Sequence, residues 1–514
     1  MKQLLFAVVF WAGIQTVTAQ PRLKARVKID TERQIGQIDR KIYGNFAEHL
    51  GRCIYGGIFE ENSPLSDKSG YRRDVKEAVE RLKVPILRWP GGNFASGYHW
   101  LDGIGPRDSR PERLELAWRT TEPNRFGTHE FLDYAEMMGI EPYICLNLGT
   151  GTWDEAKYWV EYTNVPGGTY YSDLRKKNGR EKPWKVTYWS LGNEMDGPWQ
   201  MGHRNAEEYG KYALEAAKLM KWTDPGIKLV AAGSSNFGSD ADWVGWNRTV
   251  LNTLKDKIDY ISVHTYVGNP DNNYYDFVAS ARDVQERTKV LEGTIREALV
   301  KSPRDKHIYI AWDEWNVWYR ARGGAAAEGR NALEEKYNLE DALVVATFLN
   351  TFVNHADSVK MANMAQLVNV IAPIFTSKDG LFLQTIYYPL ELFANNTKGA
   401  ALDLFVESPK YPSHRYGDVP YLDASAAYDQ GNVVLNVVNR SLDEPMEVRF
   451  EAQNGKFHGS YEVAELNGPD VKAENTFGAV KVHTVRKSTT ADGAQLVYTV
   501  PPHSYTMIKG ALSN

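Results

Sequence analysis

The sequence predicts an α/β protein, a (β/α)8 TIM barrel followed by a jelly-roll-like β-sandwich. Three observations lead to this prediction. Between residues 40 and 375, eight short apolar runs alternate with segments whose apolar residues recur at a helical spacing near 3.6. After residue 384, polar and apolar residues alternate between turn signals, which is typical of antiparallel strands. The early stretch "ARVKID" has the same alternation and can join the sandwich as an extra strand.

The eight predicted barrel strands are separated by helix-like segments that often have Asp, Thr or Asn near their start, where a helix cap is expected. Examples of these segments are "DVKEAVERLK" and "NAEEYGKYALEAAKLMKW". A doubly wound sheet is the alternative, but no glycine-rich nucleotide-binding turn follows the first strand. The predicted strands lie in "KIYGNFAEH", "VPILRWPGGN", "EPYICLNLG", "VTYWSLGNE", "IKLVAAGSS", "DYISVHTY", "HIYIAWDEW" and "VKMANMAQL".

The changes of pattern divide the chain of 514 residues into four parts. The length is sufficient for two domains. The predicted parts are a signal peptide at 1–19, an N-terminal strand segment at 20–39, a catalytic barrel at 40–383 and a C-terminal β-sandwich at 384–514.

The first residues have the composition of a secretory signal. Lys2 precedes the apolar run "LLFAVVFWAGI", and the small-residue stretch "VTA" ends at Ala19, before Gln20. A buried first strand is the alternative interpretation. No other apolar run is long enough to cross a bilayer. We therefore expect a protein without a membrane span that is exported, either to the periplasm or out of the cell.

Composition argues against several classes of function. The net charge of −5 and the lack of a long basic run argue against nucleic acid as a partner. The two cysteines, Cys53 and Cys145, are too few for a disulfide framework or a zinc site. We expect two buried free thiols, and a single bridge between them is the alternative. No His-x-x-x-His pair, calcium loop or G-x-S-x-G elbow is present. We expect neither a metal nor a cofactor.

Polar residues end most of the predicted strands. In a (β/α)8 barrel the functional residues lie at the C-terminal ends of the strands. Singly, each of these residues is more typical of a turn or a satisfied rim position, but together they predict a polar, hydrogen-bonding cup. The strand-end residues are Glu48, His49, Arg88, Asn93, Asn147, Asn193, Glu194, His264, Tyr266, Glu314 and Gln366.

Glu194 and Glu314 have a chemical interpretation as a pair. Hydrolysis of a glycoside with retention needs a carboxylic acid and a carboxylate nucleophile about 5–5.5 Å apart. The strands that carry them, the fourth and the seventh, lie on opposite sides of a barrel, which can bring the two side chains to that separation. Arg88 can keep Glu314 ionised, Asn193 can hold a substrate hydroxyl and Tyr266 can hydrogen-bond the nucleophile. Local composition leaves open which glutamate has which role.

Eight ordered stretches of the chain match the motifs of one known family. They are "YGNFAEHLGRCIY", "VPILRWPGGNFASGYHW", "DGIGP", "RTTEPNRFGTHEF", "ICLNLGTGT", "YWSLGNEMDGPWQMGH", "WDEWNVWY" and "NMAQLVNVIAPI". Together they resemble glycoside hydrolase family 51, whose best-known members are α-L-arabinofuranosidases. The resemblance extends from about residue 40 to residue 384, and the sandwich continues it to the C-terminus.

The resemblance implies a retaining enzyme. It makes Glu194, in "GNE", the general acid/base and Glu314, in "DEWNVW", the nucleophile. It implies supporting positions for Arg88 and His264, and a homo-oligomer, commonly a hexamer. The residues that it implies for binding the furanose ring are Glu48, Asn93, Asn193, Tyr266 and Gln366.

The functional expectation is an exported, retaining, exo-acting α-L-arabinofuranosidase. Its substrate would be arabinan, arabinoxylan or an arabinose-containing oligosaccharide. An endo-β-glucanase or a β-xylosidase on the same barrel is the alternative among enzymes. A carbohydrate-binding protein that has lost catalysis is the alternative outside enzymes, and a purely structural shell protein is a remote third. The presence of both glutamates argues against the inactive binding protein, which does not need them.

Overall fold

The computed structural model describes residues 23–323 and 329–513. The predicted signal peptide at 1–19 lies outside the described residues. The first two strands, β1 (Leu23–Ile29) and β2 (Gln34–Gln37), precede the barrel. Within the described ranges, no helix has both the length and the apolar content needed to cross a membrane.

Eight parallel strands close into a barrel, as the sequence predicts, and each overlaps one of the eight predicted runs. Around the barrel the order is β3, β4, β7, β8, β9, β10, β11, β12 and back to β3, while β5 and β6 form a separate hairpin. The bounds are β3 (Gly44–Phe46), β4 (Ile86–Trp89), β5 (Arg113–Glu115), β6 (Thr120–Glu122), β7 (Glu141–Cys145), β8 (Tyr188–Leu191), β9 (Lys228–Ala231), β10 (Tyr260–Val267), β11 (Tyr309–Val317) and β12 (Val359–Ala365).

The barrel helices form where apolar residues recur at the spacing of one helix face. In the first helix the buried positions are Val75, Ala78, Val79 and Leu82, and the helix stops at Lys83, whose φ is +49°. The helices are α1 (Arg73–Leu82), α2 (Thr128–Met138), α3 (Trp153–Asn164), α4 (Tyr170–Lys177), α5 (Ala206–Thr223), α6 (Trp243–Leu254), α7 (Tyr274–Phe277), α8 (Ala281–Leu299), α9 (Leu339–Asn354) and α10 (Tyr387–Asn396).

Side chains fill the inside of the barrel at the end where the strands begin. This layer leaves no room for a larger residue at Gly44 on β3, because an added Cβ would lie 2.6 Å from Ile86 Cγ2. The filled layer closes one end of the barrel, so a ligand reaches the interior from the C-terminal ends of the strands. Its buried residues are Ile86, Tyr143, Val230, Tyr260, Ala311 and Met361.

The remaining strands build two packed sheets. One has the order β16, β1, β21, β24 and the other β2, β15, β19, β20, β25, β22, β23, while β13–β14 and β17–β18 are hairpins. The bounds are β13 (Ile374–Ser377), β14 (Gly380–Leu383), β15 (Ala400–Leu402), β16 (Phe405–Glu407), β17 (Lys410–Ser413), β18 (Gly417–Pro420), β19 (Leu422–Asp429), β20 (Asn432–Asn439), β21 (Met446–Ala452), β22 (Lys456–Asn467), β23 (His483–Gly493), β24 (Gln495–Val500) and β25 (Ser504–Ser513).

The predicted fold class is confirmed, including the N-terminal contribution to the sandwich. Strand β1 pairs in parallel with β21 and antiparallel with β16, and β2 pairs with β15. The last barrel helix, α10, ends at Asn396, and the sandwich strands begin at Ala400. The exact domain boundaries stay a prediction.

The sandwich is joined to the barrel by polar and apolar contacts. Asn350 on α9 donates to Asp423 and accepts from Ser425 Oγ at 2.6 and 2.7 Å. A continuous apolar core extends from the barrel helices to Val438 and Tyr505 of the sandwich. The hairpin β17–β18 is thereby held beside α7 and α8, at the C-terminal end of the barrel.

Cys53 and Cys145 are both buried and both free. Burial raises the pKa of the Cys53 thiol to about 12 and that of the Cys145 thiol to about 11. Both are therefore neutral thiols at physiological pH.

Candidate active site

A cavity of about 1220 Å³ opens at the C-terminal ends of the barrel strands. Two of the predicted site residues, Arg88 and Asn193, do not line it; they lie directly behind its wall and are buried. The sequence-predicted residues that do line the cavity are Glu48, Asn93, Glu194, His264, Tyr266, Glu314 and Gln366.

Two of the polar strand-end residues have structural roles instead. Asn147 Oδ1 accepts hydrogen bonds from the backbone N–H groups of residues 149–151 and so shapes the loop after β7. His49 accepts a hydrogen bond from Trp89 Nε1 and stacks on Phe94 at a centroid distance of 4.6 Å. Neither residue lines the cavity.

Glu314 is fixed by two donors on opposite oxygens. It lies in β11, and its side chain is 6% exposed. Arg88 Nη1 donates to Oε1 at 2.6 Å, and the Tyr266 hydroxyl donates to Oε2 at 2.8 Å. Hydrogen bonds to both oxygens fix the orientation of the carboxyl group. The arrangement suits a well-oriented nucleophile.

Glu194 follows β8 on a sharp turn. Gly192 has φ +89°, and Glu194 itself has φ +45°, in the left-handed region that non-glycine residues rarely adopt. Trp199 Nε1 donates to Glu194 Oε2 at 2.6 Å, and His264 Nδ1 lies 3.0 Å from Oε1. The turn lifts the carboxyl group into the cavity opposite Glu314.

The two carboxyl groups meet at His264. One oxygen of Glu194, one oxygen of Glu314 and one nitrogen of His264 all lie within 4.8 Å of one another. On the other side of the ring, Nε2 lies 3.0 Å from Asp313 Oδ1. Three carboxylates therefore surround one imidazole.

His264 is protonated in this setting. Burial opposes the charged imidazole, but Glu314, Asp313 and Glu194 outweigh it and raise the pKa of His264 to about 10. A protonated ring has no free lone pair for a metal ion, so the three groups suit proton handling better than metal binding.

Arg88 and Asp313 are buried beneath Glu194 and Glu314. Burial disfavours the charge on Asp313, but Arg88 and His264 outweigh it and hold the pKa of Asp313 below its usual value. Arg88 Nη2 donates to Asn193 Oδ1 at 2.6 Å, and the Tyr143 hydroxyl donates to Asp313 Oδ2 at 2.8 Å. The buried charges are thus paired and hydrogen-bonded, as burial of charge requires.

Glu48 follows β3, which lies between β4 and β12 in the barrel, and it accepts from three donors. Its Oε1 accepts from Phe94 N–H and Trp118 Nε1, and its Oε2 accepts from Gln366 Nε2, each at 3.0 Å. Burial raises the pKa of Glu48 to about 8, although the Phe94 and Trp118 donors favour the charged form. At Gly92, an added Cβ would lie 2.6 Å from Glu48 Oε2, so only glycine admits this carboxyl group.

Three residues that contact the predicted site residues were not predicted from the sequence. Asp313 directly precedes Glu314, and its place in a buried strand was the signal that could have marked it. Trp199 lies five residues after Glu194, in the quoted "GNEMDGPW" stretch. Trp118 lies in the β5–β6 connection, far from any predicted strand end, and no pattern points to it.

Known proteins are similar to this chain along most of its length. Residues 78–283 match the family model described as "Alpha-L-arabinofuranosidase 1 domain", and residues 313–504 match "Alpha-L-arabinofuranosidase C-terminal domain". The chain is 45% identical to an intracellular exo-α-(1→5)-L-arabinofuranosidase of Bacillus subtilis over 463 residues, which cover 88% of this chain and 92% of the relative.

Solved structures have the same fold along nearly the whole chain. The α-L-arabinofuranosidase of Thermotoga maritima, in complex with arabinose, is 41% identical with a TM-score of 0.87. The family 51 α-L-arabinofuranosidase of Thermotoga petrophila is 42% identical with a TM-score of 0.86. Each match covers 95% of this chain and all of the other.

The expectation of an exported protein, periplasmic or secreted, is wrong. The similar arabinofuranosidases of Bacillus subtilis, Halalkalibacterium halodurans and Acetivibrio thermocellus, at 40–45% identity, are all named intracellular. The physical reason for the error is that Lys2 and a short apolar run are a signal of local composition only, and such a run is equally compatible with other roles.

These matches cover most of the chain. A relative that is 45% identical over 88% of the chain, together with two matching family models, shows the family to which the protein belongs. The protein belongs to glycoside hydrolase family 51, the α-L-arabinofuranosidases.

Proposed function

We propose that the protein removes terminal non-reducing α-L-arabinofuranosyl residues from arabinan, arabinoxylan or arabino-oligosaccharides, with retention of anomeric configuration. The observation that supports the mechanism is the short distance between the carboxyl groups of Glu194 and Glu314, which have different hydrogen-bond partners. One oxygen of each lies within 4.8 Å of the other, and His264 contacts both. Retaining glycosidases have carboxyl groups about 5–5.5 Å apart, whereas inverting enzymes need about 6.5–9.5 Å to admit a water.

In the first step, Glu314 is the nucleophile. Its carboxylate oxygen attacks the anomeric carbon while the bond to the glycosidic oxygen breaks, and Glu194 gives its proton to that oxygen. The leaving group departs as a neutral alcohol, and an arabinofuranosyl ester of Glu314 remains. Arg88 and Tyr266 support this role because they orient the attacking carboxylate.

In the second step, Glu194 is the base. It takes a proton from water as the water oxygen attacks the anomeric carbon, and the ester bond to Glu314 breaks. Arabinose leaves, and both glutamates return to their starting forms. His264 is a positioning residue, since its charged ring lies between the two carboxyl groups and compensates the negative charge that moves from one to the other.

We assign the furanose-binding role to side chains that follow the neighbouring strands β12, β3 and β4. Glu48, Asn93 and Gln366 line the cavity there, with carboxyl and amide groups that match the hydroxyls of a sugar ring. Asn193 acts from behind, since its amide lies between Arg88 and Asn93 at 2.6 and 3.5 Å.

The experiment that tests this function compares nitrophenol release from 4-nitrophenyl α-L-arabinofuranoside, β-D-xyloside and β-D-glucoside. We expect fast release from the arabinofuranoside alone. Proton NMR of the first-formed arabinose then reports the anomer, and retention gives the α-anomer before mutarotation. Preference for the xyloside or glucoside contradicts the proposed sugar, and an initial β-anomer contradicts the double displacement.

A further inference from the structure

The cavity is larger than one furanose ring requires. Ligand pockets are commonly about 300–1,000 Å³ and already accommodate molecules larger than a monosaccharide, whereas this cavity measures about 1220 Å³. It continues past the catalytic pair along the loop after β9, the segment α7–α8 and the hairpin β17–β18. We call this continuation the far arm, and define it by Phe237, Asp283, Arg287, Arg415 and Tyr416.

Arg287 has hydrogen-bond donors available in the far arm. Its guanidinium lies 3.7 Å from the centroid of the Phe237 ring, and Nη1 donates to Thr265 Oγ1 at 3.0 Å. Among the described residues it has no carboxylate within ion-pair distance, and burial lowers its pKa. A guanidinium carries five N–H donors, so several remain for a bound molecule.

The opposite side of the far arm comes from the sandwich. Asp276 Oδ1 accepts from Ser413 Oγ at 2.6 Å, which fixes the tip of the β17–β18 hairpin. Asp283 accepts from the Tyr416 hydroxyl at 3.0 Å and from Arg415 Nη2 at 2.6 Å. The Tyr416 ring is thus held at the cavity wall by a residue of the barrel.

These groups suit carbohydrate. Sugar rings present apolar C–H faces to aromatic rings and hydroxyl groups to polar side chains, and both kinds of partner are present here. Arg287 and Arg415 are balanced by Asp276 and Asp283, which favours a neutral sugar over a uronic acid. Thr265 connects the arm to the reaction centre, since it lies between His264 and Tyr266 on β10.

We propose that the far arm binds neutral sugar units of the leaving chain that are remote from the scissile bond. The preferred substrate is then an oligosaccharide of several units, recognised jointly by the barrel and the sandwich hairpin. This inference depends on the proposed function, because it concerns the leaving group of the same reaction.

The test compares linear α-(1→5)-arabino-oligosaccharides of two to six units with 4-nitrophenyl α-L-arabinofuranoside. For the wild-type enzyme we expect kcat/KM to rise with chain length beyond two units. In Phe237→Ala and Arg287→Ala, the ratio of kcat/KM for the hexasaccharide to that for the nitrophenyl substrate falls about tenfold, since one lost contact of about 1.4 kcal/mol is a factor of ten. The loss lies mainly in KM.

Two variants serve as controls. Phe237→Trp keeps an aromatic face and restores most of the ratio. Arg248→Ala, which removes an exposed arginine of α6 that pairs with Glu297 outside the cavity, leaves both substrates unaffected. Tyr416→Phe, which removes only a hydroxyl, gives a second test if the alanine variants do not fold.

A wild-type kcat/KM that does not depend on chain length overturns the inference, as do equal losses on short and long substrates in the variants. Failure of the proposed function gives a different result, because the wild-type enzyme would then not hydrolyse the nitrophenyl arabinofuranoside at all.

Discussion

At the near end of the cavity, Arg88 and Glu314 lie in barrel strands and are almost completely buried, whereas Phe237 and Tyr416 in the far arm lie in a loop and a hairpin and are half-exposed. Every charge at the near end is held by another side chain across the barrel. In the far arm, one arginine keeps free donors. Rigid strands therefore hold the proposed catalytic groups, while segments that tolerate change form the proposed site for the leaving chain.

The largest expected effect on kcat comes from removing the proposed nucleophile. We expect Glu314→Gln to lower kcat by about 10⁴-fold or more on every substrate, long or short, because no covalent intermediate can form. Steady-state kinetics on the nitrophenyl arabinofuranoside and the hexasaccharide measure it, with Arg248→Ala as the control. Retention of more than a few per cent of activity in a variant free of wild-type enzyme would contradict the assignment.

The next effect depends on the leaving group. Glu194→Gln should cost about 10²–10⁴-fold on oligosaccharides, the usual contribution of a general acid. The loss should be smaller on the nitrophenyl substrate, because 4-nitrophenolate leaves without prior protonation. Equal losses on both substrates would show that Glu194 does not protonate the leaving oxygen.

A stability measurement isolates the charge on His264. Its folded pKa of about 10 lies above 6.5, the ordinary pKa of histidine, so its contribution to stability is fully present below pH 6.5 and declines until it is lost near pH 10. The difference in Tm between wild type and His264→Gln should therefore be largest near pH 6 and shrink toward pH 10. Asp313, whose pKa is lowered, affects stability only in acid, below the ordinary aspartate pKa of 3.8. A difference that grows with pH would refute the protonated ring.

The smallest expected effect on kcat comes from Trp199, between the two ends of the cavity. Trp199 is 51% exposed but donates to Glu194. Trp199→Phe keeps the aromatic surface and removes the N–H, and should lower kcat about threefold to tenfold, the size of one partly solvated hydrogen bond. Thermal melting of the variant supplies the control, since its Tm should not change. An unchanged kcat would mean that the hydrogen bond does not position Glu194.

The barrel and the near end of the cavity could be predicted because both depend on local pattern. Seven of the eight predicted barrel strands are apolar runs with polar residues at or just after their ends, and the barrel geometry brings those ends together without further information. Glu194, His264 and Glu314 therefore meet where their strands predict. Which strand-end side chains face the cavity was harder to predict. Arg88 and Asn193 do not line it, because Arg88 hydrogen-bonds both Asn193 and Glu314 behind the cavity surface.

The far arm could not be predicted from the sequence, because its contacts join distant segments. Arg415 and Asp283 are 132 residues apart, and nothing in either stretch specifies the other. Trp118 presents the same difficulty, since it reaches Glu48 from a connection without regular spacing. Export was wrongly predicted for the opposite reason, because a purely local pattern was used to infer a property of the whole protein.

The pairing of β1 with β21 has a consequence for how the chain matures on the ribosome. Leu23 is among the earliest described residues to be synthesised, yet its partner is Met446, more than 400 residues later. At translation rates of about 5–20 residues per second, β1 waits on the order of 20–80 s for that neighbour. During this interval its alternating surface is an unpaired edge that other chains can contact. The sheet that contains β1 is therefore completed only after almost the whole chain has been synthesised.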